Sequence, residues 1–234
     1  MKVKIGRIEF ARRVAATLAI VALALPAFAE SGATVSVTPG ENWKSKVMMG
    51  VIPVEKTPQC AAWIETADGK YVRTLMVTDR VSRGAWRGNP KGGRPDSLPV
   101  WLHASARGSA AGAASEVDAA TSATPDSDAS INLSASGLEA GRVYVARFEV
   151  NHSFDYNDAW PKSAKKGTSA WSGVNGQPSV VYEGRFVAGK AASVRLEPVG
   201  RGAVDGASGE VTRDLAGLTS ALSIVSAVIV TVSE

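Results

Sequence analysis

The chain has 234 residues, 45% hydrophobic and 21% charged, with 26 Lys and Arg against 22 Asp and Glu and a single cysteine. Five of those cations and one of those acids fall in residues 1–29, so the remainder is electrically balanced and carries no general footprint for nucleic acid. One cysteine excludes an intrachain disulfide, and about 200 residues suffice to bury a core without one.

The first 29 residues have the three parts of an export signal. Lys2, Lys4, Arg7, Arg12 and Arg13 form a basic leader, residues 14–25 an uncharged apolar run, and Ala27-Phe28-Ala29 an A-x-A cleavage site. The run is shorter than the roughly 20 residues a bilayer-spanning helix needs. Cleavage after Ala29 and a soluble periplasmic product are expected, and Glu30, where a lipid-anchored product would have cysteine, argues against such an anchor.

From there, short alternating segments recur. Ala33, Val35 and Val37 alternate with Thr34 and Ser36; Tyr144, Ala146, Phe148 and Val150 oppose Val143, Arg147 and Glu149; Ala192, Val194 and Leu196 oppose Ser193, Arg195 and Glu197. A period of two indicates strands with one buried face. In QCAAWIET that period puts Cys60, Ala62 and Ile64 together, which makes Cys60 a buried small hydrophobe. A catalytic thiol would want a histidine partner, and the chain has only His103 and His152. Ala67-Asp68-Gly69 follows, and an Asp-Gly pair tolerates the positive φ of a tight hairpin turn.

VMMGVIPV, SINLSA, SVVYEGRFV and the terminal SIVSAVIVTV raise the expectation to about nine strands. That number predicts one all-β domain over residues 30–234, an Ig-like or fibronectin-like antiparallel sandwich. The apolar tail, 215–232, is broken by Thr219, Ser220, Ser223, Ser226 and Thr231, and its second half is β-branched. It reads as a short helical turn near 214–222 followed by a closing core strand.

Three long connections interrupt the strands, and connections of such length are functional or flexible. Residues 82–99 are rich in Gly, Pro and Arg, and with Arg80 just before them Arg83, Arg87, Lys91 and Arg94 form a basic loop. Residues 104–130 are an Ala/Ser/Gly run with little to bury, expected to be a flexible low-complexity loop. Residues 151–178 carry Phe154, Tyr156, Trp160 and Trp171, and aromatic residues in a loop either pin it to the sandwich or await a ligand. His152, Phe154, Asp155, Tyr156, Asp158 and Trp160 are the candidate ligand- or partner-binding set, facing the arginine-rich loop.

No local catalytic signature is present: no H-E-x-x-H, no G-x-S-x-G, no P-loop and no Cys/His cluster. This favours a binding module over an enzyme. A hydrolase assembled from distant residues would need His103 or His152 beside both a serine and an acid. Asp155 with Asp158, and Asp205 with Ser208 and Glu210, could offer oxygen to calcium, but neither group has the full D-x-[DN]-x-[DN]-G spacing. Turn formation accounts for them, and no metal is expected.

The succession LEAGRVYVARFEVNHSFDYND, SGVNGQPSVVYEG and EPVGRGAVDGASGEVTRDLAGLTSAL resembles a bacterial family of predicted periplasmic proteins catalogued as a domain of unknown function. The L-x-x-G-x-x-Y element at Leu138, Gly141 and Tyr144 is similar to the Ig-like part of flagellar hook-capping proteins, which implies a fold and not a flagellar role. VDAATSATP, residues 117–125, resembles the D-x-x-[ST]-G-A-T segment of flavin-carrying periplasmic subunits, whose last threonine bears flavin mononucleotide (FMN) through its phosphate. Asp118, Thr121 and Ala123 match, Thr124 would be the acceptor, and Ser122 stands where the pattern has glycine. By composition the same residues read as a solvated linker. The family's association with flavin transferases and membrane reductases implies a periplasmic or membrane-bound partner in a flavin or metal-reduction system. Two readings stay open: an accessory module without a cofactor, and a redox carrier with FMN on Thr124.

Overall fold

A computed structural model describes residues 30–49, 51–82, 93–110, 120–122 and 130–233. Residues 1–29, where an export leader is expected, and Arg83, Arg87, Lys91 and Thr124 lie outside the described residues. The strands are β1 (Glu30–Pro39), β2 (Ser45–Met49), β3 (Ile52–Lys56), β4 (Gln59–Thr66), β5 (Tyr71–Thr78), β6 (Ala120–Ser122), β7 (Ile131–Glu139), β8 (Val143–Asn151), β9 (Val180–Val187), β10 (Ala192–Arg195), β11 (Glu197–Arg201) and β12 (Val225–Val232). Two helices, α1 (Asp79–Ser82) and α2 (Pro99–Ala110), follow β5, and a 3₁₀ turn at Ser220–Ser223 precedes β12.

Two sheets form a β-sandwich, with strand orders β10-β12-β1-β7 and β11-β9-β8-β4-β5-β6, while β2 and β3 form a separate hairpin. Neighbours run antiparallel except β5 and β6, which are parallel. The run β9-β8-β4-β5 opposite β1-β7 is the Ig arrangement, and β12 lies beside β1 where an Ig domain places its first strand. Alternation builds the core: Val35 and Val37 of β1, Cys60, Ala62 and Ile64 of β4, Phe148 and Val150 of β8, and Val228 and Val230 of β12 meet between the sheets. Gly69 supplies a φ of 83° in the β4–β5 turn, where Thr66 N–H donates to Lys70 O at 2.8 Å. At the β7–β8 turn the Tyr144 hydroxyl accepts the Glu139 N–H at 3.1 Å, the tyrosine corner of Ig sandwiches.

A second apolar layer covers the outer face of the larger sheet. Ala61, Trp63, Val77 and Val181 pack beneath Leu98, Val100 and Trp101 at the start of α2. This corrects the expectation of a flexible 104–130 loop in two places: residues 104–110 are the second half of α2, and residues 120–122 are β6. The small residues that suggested flexibility instead permit close packing, since a Cβ on Gly108 would strike the Tyr71 ring. VMMGVIPV folds back as the β2–β3 hairpin instead of forming one strand. The stretch from Ala192 to Arg201 divides between the sheets at buried Leu196, whose N–H donates to Val228 O at 2.8 Å. With β6, these divisions bring the described residues to twelve strands. Among the described residues no helix is long and apolar enough to cross a membrane.

Candidate functional site

Strand directions bring the sequence's separate candidates to one pole of the larger sheet. β4 begins there, with Gln59 opposite Asn151 at the end of β8. β5 ends there, with Thr78 opposite Ser122 at the end of β6. The Thr78 hydroxyl donates to Gln59 Oε1 at 2.9 Å across the pole. The hairpin, the loop after β8 and the segment before α2 all converge on it. Arg94 ties two of them together, donating to Ser153 Oγ at 2.7 Å and to Asn175 Oδ1.

His152 is buried under the base of the hairpin. Its Nε2 lies 2.9 Å from Asn42 O and 3.2 Å from Trp43 O, and its Nδ1 lies 3.4 Å from Ser45 Oγ. Burial holds its pKa below the ordinary histidine value, and a neutral ring with the proton on Nε2 satisfies all three contacts. His103 Nε2 lies 3.1 Å from Gly206 O. Each histidine's Nε2 thus faces a backbone carbonyl, where a Ser/His/Asp site would place the reacting serine or the acid.

Asp155 is committed inside the protein. Its Oδ1 accepts the Ser220 hydroxyl at 2.6 Å and its Oδ2 accepts Gln177 Nε2 at 2.8 Å. Buried Gln177 completes the link by accepting the Thr219 N–H at 2.7 Å, joining the aromatic loop to the turn before β12. The Tyr156 hydroxyl donates to Gly173 O at 3.0 Å, and burial raises its pKa. Asn157 Oδ1 accepts the Trp160 N–H at 3.0 Å, and the Trp160 ring enters the main core. The loop is therefore pinned, and joint replacement of Asp155 and Tyr156 would disturb its anchoring along with any surface it offers. Asp158 is exposed, and Phe154, at a φ of 65°, is half-buried with Lys56 Nζ 3.6 Å from its ring centroid.

Lys56 is the residue that sequence reading missed. Burial, then Arg94, then Arg80 lower its pKa, so three cations from different segments share one field beside Phe154. Arg94 is partly balanced by Asp96, 3.9 Å from its Nε, and burial pushes the Asp96 carboxyl upward. No local pattern could have shown this grouping, because it exists only once β4 pairs with β5 and β8. Farther away, Asp205 Oδ1 accepts the Ala207 N–H at 3.0 Å and Ser208 Oγ accepts the Glu210 N–H at 3.4 Å, side chains spent on turns. Among the described residues no group of three or more His, Cys, Asp or Glu could hold a metal.

Two buried ionisable groups complete the inventory. Burial pushes the Cys60 thiol up to about 12, which leaves it without nucleophilic thiolate at neutral pH. Glu149 lies beneath the N-terminus of α2, accepting the Trp101 N–H at 2.8 Å, the Val100 N–H at 3.2 Å and the Ser179 hydroxyl at 2.6 Å. No family model, curated protein or solved structure matches the chain.

Proposed function

We propose that this chain is an exported periplasmic binding or accessory module, not an enzyme, and that its working surface is the pole where Lys56, Arg80, Arg94 and Phe154 meet. The observation that carries the reading is Lys56 Nζ seated 3.6 Å from the Phe154 ring centroid with Arg94 and Arg80 near enough to lower its pKa. Their mutual repulsion is relieved by an anion, and Phe154 offers a flat apolar neighbour, so the fitting ligand is anionic with a planar or apolar part. Free FMN is a suitable probe. It should raise the melting temperature of the wild-type protein measurably more than inorganic phosphate does. Lys56→Ala combined with Arg80→Ala should remove the difference, and equal stabilisation of wild type and variant by FMN would defeat the proposal.

A second reading places FMN covalently on Thr124. It is favoured by β6, whose last residue Ser122 pairs with Thr78, so the acceptor follows two residues beyond a strand that ends at this same pole. The flavin would make the module an electron carrier for a membrane-bound partner. An intact-mass spectrum of protein from the native host's periplasm tests it. Residues 30–234 plus one flavin mononucleotidyl group, lost in Thr124→Ala, supports the carrier; the bare mass removes it and leaves the accessory module.

A further inference from the structure

The β2–β3 hairpin has an apolar surface that the other described residues leave uncovered. Met48 is 61% exposed, Val51 91% and Ile52 63%, and Val54 is also exposed. Cross-strand pairs share a face, so the pairs Val47 with Val54 and Met48 with Pro53 lie on opposite faces of the ribbon. Apolar side chains therefore occupy both faces as well as the turn. An element apolar all round suits a surrounding apolar medium, whereas a protein groove would cover one face and leave the other wet.

The base of the hairpin has a different chemistry. Lys44, Lys46 and Lys56 form a collar with Arg80 behind Lys56, against Glu41 and Glu55, the latter 3.9 Å from Lys44 Nζ. From Val54 through Pro53 and Ile52 to Val51 the apolar part spans roughly 10 Å at the rise of a strand. That length matches the depth of the boundary between lipid headgroups and acyl chains, and a cationic collar would then meet the phosphates. At this depth headgroups and water can satisfy the hairpin's outer backbone groups, which hydrocarbon could not. His152 anchors the hairpin's base through Asn42 and Trp43, so an inserted tip would hold the cationic pole against the bilayer.

We infer that the hairpin 45–56 is a membrane-docking element that inserts its tip shallowly into an anionic phospholipid surface. This goes beyond the ligand reading and does not depend on it. The test is co-sedimentation of the exported chain with vesicles of phosphatidylcholine alone and of phosphatidylcholine and phosphatidylglycerol in equal parts. Binding to the anionic vesicles is expected, weakening with added salt. Val51→Asp with Ile52→Asp should reduce it by roughly tenfold or more while leaving the circular dichroism and melting temperature unchanged, because both side chains are exposed. Val51→Trp should show a blue-shifted emission when vesicles are added. Absence of binding, binding equal on neutral vesicles, or unchanged binding by the double aspartate variant would each overturn the inference. So would a dimer in solution that the aspartates dissolve without any vesicle binding.

Discussion

Glu149 caps a helix that brings no cap of its own. Leu98 precedes α2 and its first turn has no acidic residue, so the early N–H groups of Val100 and Trp101 turn to a carboxylate on the neighbouring strand. Burial raises the Glu149 pKa from 4.5 to about 7, against the opposing pull of Ser179, the two amides and Arg147. Between those values the native state holds a proton that the unfolded chain releases. The contribution to stability is thus complete below the unfolded value and is lost as pH rises through about 7, on the order of 3 kcal/mol in all. In urea titrations, Glu149→Gln should therefore gain on the wild type between pH 5 and pH 8; parallel curves would assign the pH dependence elsewhere. Period two placed Glu149 on the face away from Phe148 and Val150, which is its true face. Nothing in the strand itself revealed that a helix covers that face.

Among the elements, the loop after β8 shows what its sequence could and could not disclose. The sequence leaves Trp160 open between a pin and a ligand contact, and its buried ring makes it a pin. The pin that closes it, however, is Gln177 between Asp155, Ser220 and Thr219, and a glutamine in a loop carries no such signal. Gly176 makes the closure possible. At a φ of 77° it lies so close to Asp155 that an added Cβ would overlap the Asp155 carbonyl and sit 2.6 Å from Tyr156 N. Gly176→Ala should accordingly cost about 2 kcal/mol or more in urea unfolding. A loss of a few tenths would mean that the loop shifts freely and is not clamped. The hairpin departs from expectation differently, since VMMGVIPV reads as a single strand and folds as two. Its Gly50 and Pro53 were the available signs of a turn and an exposed edge.

Across the whole molecule, the sandwich was legible because strand alternation and turn glycines report directly on two-sheet packing. The outer layer was not, because the second half of α2 is Ala, Ser and Gly apart from Arg107, and the fit of Gly108 appears only against Tyr71. The closing strand was read correctly as core, and its position makes a sharp prediction. β12 lies between β10 and β1, and Val228, Val230 and Val232 fill the main core. Removing residues 225–234 should abolish the cooperative thermal transition, whereas removing only Ser233 and Glu234 should leave it intact; a melting truncated protein would show that β1 and β7 suffice. The same position governs time as well as stability. Val35 pairs with Val230, so the first sheet joins the two extremes of the described chain. Contacts so distant in sequence form late and slowly. Until β12 has been synthesised, β1 lacks one of its two partners, and the first sheet stays incomplete however early β1 and β7 meet.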